Sequence, residues 1–128
     1  MHFFKNLAVS LLMIFAFTFG SSTAIAKPAG EDVVTAAVEN TIANIQKALG
    51  LMEQGGDIES VNKAIKDARN QQKEFRFEVT ERQRQRSGQL LNKALNEIKE
   101  DNMQLAEQTL REALASYQEM KATYDKTH

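Results

Sequence analysis

Cysteine and tryptophan are absent from the 128 residues of this chain, and Pro28 is its one proline. Without cysteine there is no disulfide, no thiol nucleophile, no thiolate metal site and no lipid-modified cysteine. Histidine is almost as scarce, since the chain contains only His2 and the C-terminal His128. A histidine at the last residue cannot complete a Ser-His-Asp triad inside a core. The fold must therefore be held by packing, and we expect the protein not to be an enzyme.

Two further patterns that carry chemistry are missing. The Gly55-Gly56 pair is not a glycine-rich phosphate loop and instead suits a turn between helices. No Glu-x-x-His motif is present, which excludes the di-iron site of ferritin-like bundles. The acidic residues Glu97, Glu100 and Asp101 fall on a polar face or at a turn, where we expect solvated carboxylates. No catalytic or metal-ligating residues are therefore assigned.

Composition predicts the fold class. The strong helix formers Ala, Leu, Gln, Glu and Lys dominate the chain after Pro28, and β-branched residues are few. The chain has 16 basic and 17 acidic residues, which gives a formal net charge of −1. This near balance argues against nucleic acid or a membrane surface as the partner. We expect an all-α protein.

Residues 1–26 have the three-part pattern of a secretory signal peptide. A short segment with one clear charge, Lys5, precedes the apolar run Leu7–Phe19. That run is shorter than the roughly 20 residues that span a bilayer. Small residues follow, and Ala24 and Ala26 stand at the two positions that signal peptidase requires to be small.

Cleavage is therefore predicted between Ala26 and Lys27. It leaves residues 27–128 as a single domain, periplasmic or secreted, with no stable membrane insertion. Cleavage also removes His2, so that His128 is the only histidine of the mature chain.

Four segments carry apolar residues in steps of three and four, the pattern of amphipathic helices. We predict a first helix over residues 31–54, a second from 57 to 79, a third from 80 to 100 and a fourth after residue 102. The stripe of the second is Ile58, Val61, Ile65, Ala68, Gln72, Phe75 and Val79. The stripe of the fourth is Ala106, Leu110, Ala113, Tyr117, Met120 and Tyr124.

The helix boundaries are predicted from capping residues. Gly55-Gly56 ends the first helix, and Asp57 is the expected N-cap of the second. Thr80 with Gln83 fits a capping box that would begin the third helix. Asp101 or Asn102 is the expected cap of the fourth. Because no glycine or proline interrupts residues 57–87, one long helix in place of the second and third remains an alternative.

The chain contains an internal repeat. Ile45–Leu49 matches Leu91–Leu95, and Ala64–Ala68 matches Thr109–Ala113, with a turn between the two blocks of each copy. Each copy is a helical hairpin with one apolar face that it cannot bury alone. Packing the two hairpins together would bury both apolar faces. The repeat therefore predicts an antiparallel four-helix bundle, with coiled-coil-like packing of its apolar stripes.

A signal peptide followed by this duplicated hairpin resembles the periplasmic small metal-binding proteins. The resemblance covers most of residues 37–128 and implies a four-helix bundle in the periplasm. That family binds divalent metals such as copper through many histidines along its helices. Here Asn, Gln, Lys, Glu and Arg occupy the corresponding positions, and only His128 carries over. No cofactor is expected, and a divalent metal remains the alternative.

Two weaker alternatives follow from size and export. The chain resembles the periplasmic four-helix b-type cytochromes, which hold haem iron through a Met near the start of the first helix and a His in the last. Here Met52 lies at the far end of the first predicted helix, and His128 follows the fourth. A periplasmic stress or chaperone-like protein is the other alternative, although no LTxxQ-type motif supports it.

The segment Phe75–Arg86 has four arginines and no apolar core residue between Val79 and Leu90. Arginine forks bind carboxylate and phosphate, so Arg76, Arg82, Arg84 and Arg86 are the candidate anion or partner surface. The alternative interpretation is a solvated helix start. We therefore expect a non-enzymatic binding or interaction protein whose partner is a protein or a small anion. Homo-oligomerisation is a further expectation left open.

Overall fold

The computed structural model describes the chain from Ala29 to His128, with side chains described from Val33 onward. Within that range four helices are connected by short turns, and no strand is present. They are α1 (Ala29–Glu53), α2 (Ile58–Gln72), α3 (Glu81–Lys99) and α4 (Met103–Thr127), with a 3₁₀ turn at Glu78–Thr80 before α3. The predicted signal peptide and its cleavage residues Ala24, Ala26 and Lys27 lie outside the described residues.

The helices pack as an antiparallel four-helix bundle, which confirms the predicted fold. α1 packs on α2 and α3 packs on α4, so each pair is a hairpin. The hairpins meet where α1 contacts α4 and where α2 contacts α3. None of the described helices is long and apolar enough to cross a membrane.

Apolar stripes from all four helices fill the core. Every predicted stripe residue of α4 is buried. Equivalent positions of the repeat are buried in both hairpins, as for Ile45 with Leu91 and Ile65 with Leu110. The internal repeat therefore supplies the two halves of one core, since each hairpin covers the apolar face of the other.

The connection between α2 and α3 corrects two predictions. A single long helix in place of α2 and α3 is wrong, and so is the continuation of α2 to Val79, because α2 ends at Gln72. Phe75 is fully buried as predicted, but it lies in the irregular segment that follows α2. Val79 is 72% exposed, and Ile58, at the other end of the predicted stripe, is 48% exposed.

An aromatic cluster explains why the chain leaves the helical path after Gln72. The rings of Phe75 and Phe77 lie edge-on to Tyr124, with centroid distances of 5.9 and 5.1 Å. Tyr124 also stacks on His128 at 3.8 Å. These contacts fold the connection onto the end of α4, where Phe75 is fully buried and Phe77 is half-buried.

Of the predicted caps, Asn102 is confirmed: its side-chain oxygen accepts a hydrogen bond from the Leu105 amide at 3.3 Å. Asp57 and Thr80 are the N-cap residues of α2 and α3, as predicted, but neither side chain makes a cap hydrogen bond. The capping box predicted for Thr80 and Gln83 is therefore wrong. Gly55, in the turn after α1, has a φ of 73°, the left-handed conformation expected of a glycine that ends a helix. Asp101 adopts the same left-handed conformation in the second turn.

Candidate functional site

The beginning of α3 is joined to its neighbours by polar side chains. Two of the inward positions of this helix hold Arg84 and Ser87, and both are buried. Apolar side chains take over from Leu91 onward. The start of α3 lacks apolar residues before Leu90. Polar side chains that form hydrogen bonds therefore occupy the inward positions that leucines or valines occupy elsewhere.

Arg84 is buried at the contact between α3 and α2. Its Nε donates to a carboxylate oxygen of Glu81 at 3.3 Å, and its Nη2 forms an ion pair with the other oxygen. Its Nη1 donates to the backbone carbonyl of Gln72 at 3.5 Å, which satisfies a carbonyl at the end of α2. The guanidinium hydrogen bond holds the pKa of the Glu81 carboxyl below its ordinary value. Arg84 is therefore a structural residue and not part of an exposed arginine surface.

Gln72 links three helices. Its side-chain oxygen accepts a hydrogen bond from the Tyr117 hydroxyl at 3.0 Å, although both residues are buried. Burial raises the pKa of the Tyr117 phenol well above its ordinary value, so the hydroxyl stays protonated and donates. A Cβ on Gly88 would lie 3.3 Å from the Gln72 amide nitrogen. The glycine thus lets α3 pass close to this side chain.

An open groove of about 570 Å³ lies beside this buried cluster, between α2 and α3. Its lining residues are all basic, amide-bearing or glycine: Arg69, Gln72, Lys73, Arg84, Gln85, Gly88, Gln89 and Asn92. Within the part of the chain that the structure describes, no carboxylate lines it. Arg69 bridges the groove, since its Nη1 donates to the side-chain oxygen of Asn92 at 2.9 Å. The groove can therefore donate hydrogen bonds and attract negative charge.

A second groove, of about 460 Å³, lies on the opposite side of α3, against α4. It is lined by Arg86 and Lys93 but also by the carboxylate of Glu112. Nearby, Gln83 donates to Glu119 at 2.8 Å. The two grooves beside α3 therefore differ in charge, because a carboxylate among the described residues lines the groove on the α4 side and none lines the groove on the α2 side.

The four predicted arginines do not form one cluster. Arg82 and Arg86 are exposed on the outer face of α3. Arg76 is exposed in the connection before it, and its Nε donates to the Lys73 carbonyl at 3.0 Å. Prediction from sequence missed Arg69, Gln89 and Asn92. The sequence could have identified them, because the outward positions of the second and third predicted helices hold basic and amide residues.

The described residues contain no group of three or more His, Cys, Asp or Glu side chains placed to hold a metal ion. His128 stacks on Tyr124, and its Nδ1 lies 2.9 Å from the Tyr124 carbonyl. Met52 is near the end of α1, which lies beside the beginning of α4, whereas His128 follows the end of α4. The two residues therefore lie at opposite ends of the bundle. The expectation of a solvated carboxylate is wrong for Glu97, which is buried and accepts a 2.7 Å hydrogen bond from the Thr109 hydroxyl.

Comparison of the chain with protein-family models, curated proteins and solved structures finds no match in any of the three.

Proposed function

We propose that this chain is an exported, non-enzymatic helical-bundle protein that binds an anionic ligand in the groove between α2 and α3. The observation that carries the proposal is the lining of that groove, in which cations and amides stand together without a carboxylate. The net charge of the chain is close to zero, so this lining is a local excess of positive charge at the groove. It attracts an anion from solution and supplies hydrogen bonds to hold it.

Two cations at the groove are the expected ligand contacts. Among the described residues, neither Arg69 nor Lys73 forms an ion pair with a carboxylate. Arg69 uses one guanidinium nitrogen on Asn92, which orients the group and leaves its other donors for a ligand. Arg84 lines the floor of the groove, where Glu81 already neutralises it.

The groups at the groove suit binding and not catalysis. Guanidinium, ammonium and amide groups donate hydrogen bonds, and the lining includes no carboxylate or imidazole that could act as a general base among the described residues. Gln72, Gln85 and Gln89 add donors and acceptors that select a ligand by hydrogen-bonding pattern. A bound anion would therefore be held and released unchanged.

The test is a ¹H–¹⁵N NMR titration of the purified domain with sodium succinate, against sodium chloride of matched ionic strength. We expect saturable shifts at amides that border the groove. The double variant R69Q/K73Q should weaken binding by about tenfold, because each lost contact is a charge-assisted hydrogen bond.

The matched control is K47Q/K66Q, which removes the same charge from exposed positions outside the groove. It should bind as tightly as the unchanged chain. Equal weakening by the two double variants would overturn the assignment of the groove, since the effect would then be one of net charge alone.

Export is tested separately, by expressing residues 1–128 in a Gram-negative host and measuring the intact mass of the periplasmic protein. We expect a chain that begins at Lys27. A full-length chain retained in the cytoplasm would contradict the export part of the proposal.

A further inference from the structure

The exposed face of α3 is uniform in chemistry along its whole length. Its outward residues form one stripe of four cations and four amides, namely Arg82, Gln85, Arg86, Gln89, Asn92, Lys93, Asn96 and Lys99. The stripe contains neither a carboxylate nor an apolar side chain. From its first to its last residue it spans about 26 Å, at 1.5 Å per residue.

The two acidic residues of α3 lie outside the stripe. Glu81 pairs with the buried Arg84, and Glu97 is buried against Thr109. Of the four stripe cations, Lys93 alone has a carboxylate within ion-pair distance among the described residues, with its Nζ 3.7 Å from Glu97. Most of the positive charge of the stripe is therefore directed to solvent.

The neighbouring helices give the stripe a preferred side. Arg69 and Lys73 of α2 extend its positive charge across the α2–α3 groove. On the other side, Glu112 and Glu119 of α4 would repel an anion. A long anion is thus guided along α3 toward α2 and away from α4.

The composition of the stripe distinguishes between kinds of polyanion. Protein–protein interfaces have an apolar, often aromatic centre, which this stripe lacks. Amides both donate and accept hydrogen bonds, so Gln85, Gln89 and Asn96 match hydroxyl groups as well as carboxylates. A polyphosphate has no hydroxyl donors, so the exposed amide oxygens would stay hydrated and add no contact to its binding.

We infer that the stripe on α3 binds an extended anionic glycan, a polymer that carries carboxylates and hydroxyls along its length. This inference rests on the proposed anion-binding function, and it adds that the ligand is a polymer that continues beyond the groove. The carboxylates contact the cations at intervals, and the hydroxyls contact the amides between them.

The experiment compares oligogalacturonate long enough to cover the stripe with monomeric galacturonate, a maltooligosaccharide of equal length, polyphosphate and polyglutamate, by calorimetry and NMR. Oligogalacturonate should bind at least about tenfold more tightly than each of the others. Tighter binding of polyphosphate or polyglutamate would overturn the glycan assignment. An oligomer that binds no better than its monomer would overturn the extended site while leaving the proposed function intact. Failure of succinate and of every anionic probe would remove both.

Two variants test the extent of the stripe. R82Q/K99Q changes its two ends and should weaken oligogalacturonate by about tenfold without affecting the monomer. Q89A/N96A should weaken oligogalacturonate but leave polyphosphate unchanged, and Q46A/Q118A, at exposed positions on α1 and α4, is its control. Unchanged oligomer binding in both stripe variants, with helical circular dichroism intact, would refute the inference.

Discussion

The hydroxyl of Tyr117, in the middle of α4, donates a 3.0 Å hydrogen bond to the side-chain oxygen of Gln72, the last residue of α2. Both side chains are buried, and the contact joins the two hairpins beneath the candidate groove. A buried pair of this kind specifies the position of the α2 terminus, because either partner alone would be left without its hydrogen bond.

Replacing Tyr117 with Phe should lower the free energy of unfolding by about 1 kcal/mol, because the Gln72 oxygen loses its donor. It should also change the alkaline profile. The folded-state pKa of Tyr117 is raised above its ordinary value of 10.0, so the unfolded chain loses the proton first as pH rises. The stabilisation is complete below about pH 10 and is lost above it. Urea unfolding across this range should show a steeper alkaline loss in the unchanged chain than in Y117F. Parallel curves would contradict the prediction.

The Glu81–Arg84 pair predicts an acid-sensitive start of α3. The folded-state pKa of Glu81 is lowered, so its contribution to stability is present above its ordinary value of 4.5 and is lost as pH falls through the folded-state pKa. Replacing Glu81 with Gln should destabilise the protein by less than about 1 kcal/mol at neutral pH, because Arg84 loses its charge partner but solvent screens the partly exposed Glu81 carboxylate. The variant should lose less stability than the unchanged chain on acidification. E78Q, at an exposed carboxylate in the 3₁₀ turn, is the control and should behave as the unchanged chain.

Phe77 should hold the α2–α3 connection against α4. Its ring lies edge-on to both Tyr124 and His128, with centroid distances of 5.1 and 5.3 Å. Replacing Phe77 with Ala should cost about 1–2 kcal/mol, less than a fully buried phenylalanine because the ring is half-buried. Hydrogen exchange should accelerate at residues 73–80 more than in the centres of the helices. A uniform acceleration over the whole bundle would show that the connection does not open locally.

The amide oxygen of Asn62, in α2, is buried without a hydrogen-bond partner among the described residues. Replacing Asn62 with Leu should raise the free energy of unfolding by about 1 kcal/mol, since the desolvated oxygen is removed and apolar area is added. N70L, at an exposed position of the same helix, is the control and should gain only the few tenths that helix propensity provides. Thermal unfolding of the three proteins measures the difference. An equal gain in stability in N62L and N70L would mean that helix propensity alone accounts for it.

The predictions made from the sequence succeed where apolar periodicity is continuous and fail where it stops. Every predicted stripe residue of α4 is buried, because steps of three and four leave one face available for a core. The heptad of the second helix continues in the sequence through Phe75 to Val79, but the helix does not. Local pattern could not show that Phe75 is buried more effectively from an irregular segment, since its partner Tyr124 lies 49 positions away.

The candidate site shows the same division. The cluster of arginines before Leu90 is visible in the sequence, and it identifies the right part of the chain as unusual. It does not show that Arg84 points inward to Glu81 and Gln72 while Arg82 and Arg86 face solvent. Nor does it show that Arg69 reaches Asn92, a contact that exists only once α2 lies beside α3.

Composition and periodicity by themselves therefore determine an all-α chain, its duplicated hairpins and most of its core, because helix propensity and amphipathic spacing are properties of neighbouring residues. The tertiary structure alone decides where α2 ends, which arginine is buried and which of the two grooves beside α3 is lined without a carboxylate among the described residues. Those outcomes depend on residues that are distant in sequence and come together only when the two hairpins pack.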